Sequence, residues 1–268
     1  STIDPIKNSA KSLSLIKDAL EICDRLMVHT ISDMNRLKSL YLSDNVCLFP
    51  HGIIDYTPIK SNYFTSIGFK SFNKCRRICS YGFCLPNKGY SQLIEAINIL
   101  NRKNFNIYLD IFCAIYNTEY AFVYEDLKKL IYKLNMQNRV SINPKYLSDK
   151  EVLNCLSKYD FTIFPYQNSN ESSSAAVRQG LASLRPVLVT PLPVFDDVAD
   201  LVNYLPGSSS FDIAIGVDRW YENTEINSKN DNKTAQQKKY IDKLNQMRFS
   251  KLALRLSSII KSLEVNSD

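Results

Sequence analysis

Apolar and polar positions change along this chain in blocks that predict strands and helices in turn. Short runs of apolar, strand-prone residues occur at 25–29, 46–49, 76–83, 106–114, 139–142, 161–166 and 186–190. Between them, apolar residues recur every three or four positions, as in amphipathic helices, at 6–23, 32–41, 90–101, 119–136 and 149–158. Ser32 or Asp33 is expected to cap the second helix. Repeated units of this length predict a doubly wound α/β fold with a parallel sheet.

Two segments depart from this alternation. Residues 56–73 lack clear periodicity, and residues 221–234 are polar and rich in asparagine, so both are expected to be surface loops. Residues 235–263 return to helical spacing, and their apolar side consists of Tyr240, Leu244, Met247, Leu252, Leu256 and Ile260.

The most distinctive stretch lies between the strands at 161–166 and 186–190. Its polar loop carries Glu171 and then Ser172, Ser173 and Ser174, ahead of a helical segment. Serine is a favoured N-cap residue, and the first N–H groups of a helix have no internal partner and lie at the positive end of its dipole. Such groups hold phosphate oxygens, so a diphosphate site is one interpretation. A capped helix without a ligand fits the spacing equally well.

Two other loops follow predicted strands, where ligands of a parallel sheet gather. In the first, Gly82 ends a strand and Lys88 with Gly89 precedes a helix, so a lysine can reach a diphosphate while the glycine permits close backbone approach. In the second, Asn143 to Tyr146 is placed to lie along a nucleobase. Each loop taken alone is also typical of an ordinary turn.

Composition excludes some classes of function. The 268 residues suffice for a core, and the formal net charge of +6 is compatible with anionic ligands or a membrane surface. Nucleic-acid binding is not expected, since there is no arginine-rich helix and no aromatic strand pattern of the RNA-binding kind. Seven cysteines among apolar neighbours favour a reducing cytoplasm, with association at the inner membrane face as an alternative. Cys75, Cys79 and Cys84 lack metal-site spacing, so no metal is expected.

Taken together, the three loops resemble the carboxyl-terminal, donor-binding half of GT-B fold glycosyltransferases, in particular the retaining enzymes of glycosyltransferase family 4. The resemblance runs from about residue 46 to residue 263. The family's strand ending in glycine, followed by Lys-Gly, is matched by Gly82, Lys88 and Gly89, and its paired glutamates with a following Pro-Val turn correspond to residues 171–187. Two positions depart from the pattern: Gln179 replaces the second glutamate and Leu184 replaces a glycine.

The resemblance implies roles for these residues. Glu171 would accept hydrogen bonds from the donor sugar, Gln179 would bond the ribose more weakly than a glutamate, and the three serines with Lys88 would hold the diphosphate. It also implies a nucleoside-diphosphate sugar as donor, retention of configuration, and no metal or other cofactor. The family's additional basic residue is absent, since Phe83 and Cys84 occupy its place; Arg178 either compensates or is a surface residue.

The resemblance also implies an organisation into domains. Residues 1–45 match the last elements of an amino-terminal acceptor domain, residues 46–233 a Rossmann-like nucleotide-sugar-binding domain, and residues 234–268 helices that pack back on the first segment. The rest of the acceptor domain is expected in a longer protein or a separate subunit. His51 resembles the hinge between domains, and a structural role is expected for His29.

Three functions remain open from the sequence. The first is transfer of a sugar to a glycan or lipid-linked acceptor, as in polysaccharide biosynthesis. The second is a non-catalytic nucleotide-sugar-binding or scaffold module, which Gln179 and the short first domain favour. The third, a sugar-nucleotide epimerase, requires acid and base residues that the sequence does not identify.

Overall fold

The computed structural model describes residues 17–39, 41–42, 44–55, 75–227 and 233–264. The first elements are helix α1 (Lys17–Glu21), strand β1 (Leu26–Val28), helix α2 (Ile31–Lys38) and strand β2 (Val46–Leu48). β1 and β2 pair in parallel as a separate two-stranded sheet. Residues 6–16 of the first predicted helix and the whole segment 56–73 lie outside the described residues.

A six-stranded sheet forms the centre of the remaining chain. Its strands are β3 (Arg76–Phe83), β4 (Ile107–Ala114), β5 (Val140–Asn143), β6 (Phe161–Phe164), β7 (Val187–Val189) and β8 (Asn203–Tyr204). All neighbouring pairs are parallel, in the order β5-β4-β3-β6-β7-β8. The order reverses between β3 and β6, as in doubly wound nucleotide-binding sheets, and this topology confirms the predicted fold class.

Helices cover both faces of this sheet. They are α3 (Tyr90–Arg102), α4 (Ala121–Lys133), α5 (Asp149–Leu156), α6 (Ala175–Ala182), α7 (Ser210–Asn227) and α8 (Lys233–Gln246), and a last helix, α9 (Phe249–Glu264), follows α8. Buried side chains of α3, α4 and α7 form one core with the strands, and those of α5, α6 and α8 contribute to a second. β6 is buried at all four positions because it lies between these two cores, which explains its unbroken apolar sequence.

Helix α6 lies unusually close to the sheet because of a glycine. A Cβ atom on Gly180 would come within 2.8 Å of the Phe164 ring and 2.9 Å of Thr162 Oγ1. Only hydrogen at this position lets the helix approach β6 so closely. The amino end of α6 is thereby set beside the carboxyl end of β6.

The carboxyl-terminal part corrects several predictions. The predicted loop at 221–234 is wrong for its first seven residues, since α7 continues to Asn227. Tyr221 is 1% exposed and packs with Trp220 against Phe161, so burial of aromatic rings overrides the weak helix preference of the polar sequence. A 3-10 helix, Pro193–Leu201, and strand β8 follow β7, and the sequence analysis missed both.

The segment at 235–263, predicted to be helical, forms the two helices α8 and α9. The helical conformation is interrupted between α8 and α9. There, Ile53 N donates to Met247 O at 2.9 Å and Phe249 N donates to Ile53 O at 2.9 Å. A tertiary backbone contact therefore replaces the helical bonds at this point. The cap of α2 is also corrected: Thr30 precedes the helix and its hydroxyl oxygen accepts from Asp33 N at 3.0 Å.

Arg255 of α9 contacts the last residue of β2 and the residue that follows it. Its Nη2 donates to Leu48 O at 2.9 Å, and its guanidinium lies 5.4 Å from the centre of the Phe49 ring.

Candidate functional site

A cleft of about 570 Å³ opens at the carboxyl ends of β3 and β6, where the strand order reverses. In doubly wound sheets this is the place where ligands bind. Eight of the predicted site residues line the cleft: Gly82, Lys88, Tyr146, Glu171, Ser172, Ser173, Ser174 and Gln179. The sheet thus brings together residues that lie almost 100 positions apart.

Lys88 is the most buried charged group in this cleft. It ends a short 3-10 turn, Pro86–Lys88, and is only 9% exposed. Its Nζ atom lies 3.6 Å from Glu171 Oε2 and 3.9 Å from the centre of the Tyr166 ring. A buried ammonium requires compensating negative charge, and a half-exposed carboxylate with an aromatic face provides it only in part.

Gly89 fixes the position of Lys88 without lining the cleft. Its φ of 73° lies in the left-handed region, and a Cβ atom there would lie 1.8 Å from Pro165 O. Next to it, Gln167 N donates to Asn87 O at 3.0 Å. The loops that follow β3 and β6 therefore meet through their backbones, and a side chain at position 89 would separate them.

Ser174 is the residue that starts α6. It is the N-cap, its Oγ accepts from Val177 N at 3.4 Å, and it lies 3.0 Å from the Tyr166 hydroxyl. Ser172, Ser173 and the first two alanines of α6 line the cleft as well. The amino end of a helix with free N–H groups therefore faces the same space as Lys88. Lys88, Tyr166 and Ser174 are all buried, and Tyr166 contacts both of the others. We call these three residues the inner wall.

The opposite side is more exposed, and we call Lys145, Tyr146 and Asp149 the outer wall. Tyr146 is 67% exposed and follows β5 as predicted. Asn143 is not among the residues that line the cleft: its Oδ1 accepts from Lys145 N at 2.9 Å and so shapes the turn. Lys145 was missed by the sequence analysis, although a basic residue just after a strand was the available signal.

Gln179 and Tyr81 lie beside the outer wall. The amide Nε2 of Gln179 donates to Asp149 Oδ1 at 3.0 Å. Burial, with smaller effects of Tyr146 and Asp149, raises the pKa of Tyr81 to about 12. Tyr81 is therefore a protonated phenol, which can donate a hydrogen bond into the cleft.

Arg178 neither lines the cleft nor lies on the surface, which corrects both expectations for it. Its side chain is 3% exposed; it pairs with Asp197, and its Nη1 and Nε donate to Ser174 O at 2.9 Å and to His51 O at 3.2 Å. Burial raises the pKa of Asp197 and lowers that of Arg178, and each partner opposes the shift of the other. Arg178 therefore ties the start of α6 to the hinge segment instead of supplying charge to a ligand.

Both histidines lie at the cleft. Their ring centres are 5.4 Å apart, and Nδ1 of His29 and of His51 lies 3.0 Å from a backbone carbonyl oxygen, that of Phe49 and of Gly52 respectively. Because a carbonyl oxygen only accepts, each Nδ1 donates. Burial, then the positive charge of Arg178, lowers the pKa of His51. His29 lines the cleft, and the structural role expected for it stays a prediction.

Two further properties concern the described part of the chain alone. Within it, no three side chains of His, Cys, Asp or Glu come together as a metal ion would require. None of the helices that the structure describes is long and apolar enough to span a membrane.

Comparison with known proteins gives similarity in structure but not in sequence. No family model and no curated protein matches the sequence. Among solved structures, a glycosyltransferase from Rickettsia africae is 15% identical with a TM-score of 0.68, over 92% of this chain and 66% of that one. HepE from Anabaena, solved with UDP and glucose, is 10% identical with a TM-score of 0.71, over 98% of this chain and 70% of that one.

Sucrose-phosphate synthase from Thermosynechococcus elongatus is 14% identical with a TM-score of 0.71, over 97% of this chain and 63% of that one. The chain thus spans 63% to 70% of the length of these three proteins. At these identities the similarity is one of fold: the chain has the doubly wound architecture of solved glycosyltransferases.

Proposed function

We propose that the chain is the donor-binding part of a glycosyltransferase and that the cleft holds a nucleoside-diphosphate sugar. The observation that carries this proposal is Lys88, a nine-tenths buried ammonium at the carboxyl edge of a doubly wound sheet, facing the same space as the amino end of α6. A diphosphate provides the negative charge that such a group requires. The similarity in fold to HepE, a protein solved with UDP and glucose, supports the same ligand class.

The inner wall binds the diphosphate in this proposal. Lys88 contacts a phosphate oxygen, and Ser172, Ser173 and the free N–H groups at the start of α6 contact the others. During transfer, the bond between the anomeric carbon and the diphosphate oxygen breaks and negative charge builds on the diphosphate. Groups already fixed around that oxygen stabilise the charge without rearranging, which is where such contacts contribute most to rate. The charge is met by these groups and not by a metal ion.

Glu171 is the proposed contact to the donor sugar. Its 3.6 Å separation from Lys88 exceeds the 2.7–2.9 Å typical of a strong charged hydrogen bond, so the pair is easily rearranged. When the diphosphate engages Lys88, the Glu171 carboxylate becomes free to accept hydrogen bonds from sugar hydroxyls. It then positions the anomeric carbon, to which the oxygen of an acceptor hydroxyl forms a bond while the proton of that hydroxyl passes to the departing diphosphate oxygen.

The finer parts of the proposal rest on the resemblance to family 4 transferases. They are retention of anomeric configuration, a glycan or lipid-linked acceptor, and an amino-terminal domain or separate subunit that binds that acceptor. Reaction in the cytoplasm, or at the inner face of a membrane, belongs to the same proposal. The chain spans 66% and 63% of the lengths of two of its structural neighbours, which is compatible with a further part that binds the acceptor.

A non-catalytic nucleotide-sugar-binding module is the second candidate. The amide of Gln179, bound to Asp149, stands where the resembling family has a second carboxylate. Such a module would bind the nucleotide sugar at the same site as the enzyme but would not transfer the sugar. Release of UDP from UDP-glucose, measured with and without candidate acceptors, separates the two: sustained release supports the enzyme, and binding without release supports the module.

Calorimetric titration with UDP, GDP and ADP, and with their sugars, tests the proposed ligand. We expect one base to bind, and Lys88→Ala to weaken that binding about 10- to 100-fold, as for the loss of a charged hydrogen bond in a buried site. Glu171→Ala is expected to weaken binding of the nucleotide sugar and to leave the affinity for the free nucleoside diphosphate almost unchanged.

Lys128→Ala is the matched control, because Lys128 is an exposed lysine that pairs with Glu125 on α4, away from the cleft. It should bind as the parent does. If the parent binds none of these nucleotides, or if Lys88→Ala binds as tightly as Lys128→Ala, the donor-site proposal is wrong.

A further inference from the structure

The outer wall contains a carboxylate that the proposed diphosphate and sugar contacts do not use. Asp149 is the first residue of α5 and follows its N-cap, Ser148. It lines the cleft and its side chain is exposed to it. The amino end of a helix favours a negative charge, which suits an acidic side chain at this position.

Gln179 holds one oxygen of this carboxylate. Its Nε2 donates to Asp149 Oδ1 at 3.0 Å, across from the second turn of α6. Among the described residues, Oε1 of the same amide is buried and has no hydrogen-bond partner. An unpaired buried carbonyl is costly, and reversing the amide would bring that oxygen against the carboxylate. The amide is therefore oriented by Asp149, and its role is to position Asp149.

Asp149 Oδ2 has no hydrogen-bond partner among the residues that the structure describes, and it remains as an acceptor at the cleft. An ionised carboxylate only accepts, and it suits a ligand that presents two adjacent hydroxyl donors. The ribose of a nucleotide carries such a pair, and doubly wound sheets often hold a ribose hydroxyl with a single Asp or Glu.

The surroundings of Asp149 fit a nucleoside. Tyr146 is exposed three residues before it, and Tyr81 lies near both. Lys88 and Ser174 of the inner wall line the same cleft, as do Ser172 and Ser173. A nucleotide with its diphosphate on the inner wall and its base beside the tyrosines brings its ribose to the carboxylate.

We propose that Asp149, positioned by Gln179, accepts hydrogen bonds from the ribose hydroxyls of the bound nucleotide, so that the site selects ribonucleotides over deoxyribonucleotides. This inference rests on the proposed function. It differs from the expectation that Gln179 itself contacts the ribose: Asp149 is the contact, and Gln179 is a positioning residue.

The test compares the tightest-binding nucleoside diphosphate with its 2′-deoxy form by calorimetry on the whole chain. The parent is expected to bind the ribonucleotide about tenfold or more tightly than the deoxynucleotide, because a hydrogen bond to a charged group contributes about that much. Asp149→Asn should bring the affinity for the ribonucleotide down to that for the deoxynucleotide. The affinity for the deoxynucleotide should itself change less than about twofold, because that ligand has no 2′-hydroxyl to donate to Asp149. Gln179→Ala should reduce the preference in part, and Asp149→Glu should restore more of it than Asp149→Asn.

Asp126→Asn is the matched control, since Asp126 is exposed and pairs with Lys129 on α4. It should keep the full preference, and thermal unfolding of each variant shows that it is folded. An unchanged preference in Asp149→Asn, or no preference in a parent that binds both nucleotides, overturns this inference and leaves the proposed function standing. A parent that binds neither nucleotide overturns both.

Discussion

The two walls of the cleft differ in how firmly the fold holds them. Lys88, Tyr166 and Ser174 of the inner wall are buried and contact one another through a cation–π pair and a hydroxyl contact of 3.0 Å. Lys145, Tyr146 and Asp149 of the outer wall are exposed. Groups that are fixed before binding lose little entropy when a ligand arrives, whereas exposed side chains can adjust to it.

The difference follows from backbone contacts. The inner wall is built where the loops after two central strands touch, and where α6 approaches β6 at Gly180. The outer wall consists of the exposed loop after β5 and the first residue of α5: Lys145 N donates to Asn143 Oδ1 within the loop, and Gln179 Nε2 donates to Asp149 Oδ1. A fixed inner wall suits a ligand part that never varies, such as a diphosphate. An adjustable outer wall suits the part that differs among nucleotides, the base.

Replacing Gly89 is expected to disrupt the inner wall most. Gly89→Ala introduces a Cβ atom 1.8 Å from Pro165 O at a φ of 73°, so one of the two loops must move. We expect a loss of about 4 kcal/mol or more in the free energy of unfolding, as at other overdetermined backbone positions. Denaturant unfolding measures the loss, and nucleoside diphosphate binding should disappear with it.

Gly89→Asn separates the two causes of that loss. Asparagine tolerates the left-handed region better than alanine but carries the same Cβ atom. If the backbone contact dominates, Gly89→Asn is as unstable as Gly89→Ala. A stable Gly89→Ala protein that still binds nucleotide would show that the inner wall is not fixed by this contact.

The sequence was sufficient to predict much of the inner wall. The bounds of β3 agree with the predicted 76–83, and Lys88, Glu171 and the three serines line one cleft as their positions after strands indicated. These features depend on local rules: apolar runs form strands, and parallel strands gather their following loops at one edge.

The sequence was not sufficient where a partner is distant and chemically ordinary. Arg178 gives no local sign that Asp197 will bury with it, and nothing in the spacing of Asp149 and Gln179 predicts their hydrogen bond. The stretch that begins at Tyr221 has the polar composition of a loop, and the aromatic core that buries Tyr221 lies mainly on other elements. Such contacts depend on how helices pack, and periodicity does not specify that.

Removing Arg178 tests the support behind the inner wall. Arg178→Ala leaves Asp197 buried and unpaired and removes the bond to Ser174 O, so we expect a loss of about 3 kcal/mol in the free energy of unfolding. Because Ser174 caps α6, affinity for the nucleoside diphosphate should fall as well. Denaturant unfolding and calorimetry measure the two effects.

The double variant Arg178→Met with Asp197→Leu provides the control for the buried charge. It leaves no unpaired ion, so it should recover most of the stability lost in Arg178→Ala. It should not recover the affinity, since the bond to Ser174 O is still missing. Equal stability of Arg178→Ala and the parent would mean that the pair does not support the wall.

Replacing Tyr146 should have the smallest effect on stability of the three replacements. It therefore contrasts most clearly with the replacement of Gly89. Tyr146 is 67% exposed, so Tyr146→Ala is expected to change the free energy of unfolding by less than about 0.5 kcal/mol. If its ring stacks on the base, nucleotide affinity falls about fivefold, the lower end for a base stacked on an aromatic ring. Tyr132→Ala, at a 74% exposed tyrosine of α4, should alter neither quantity. A large stability loss in Tyr146→Ala would mean that the outer wall is as fixed as the inner one, and the contrast between the walls would then fail.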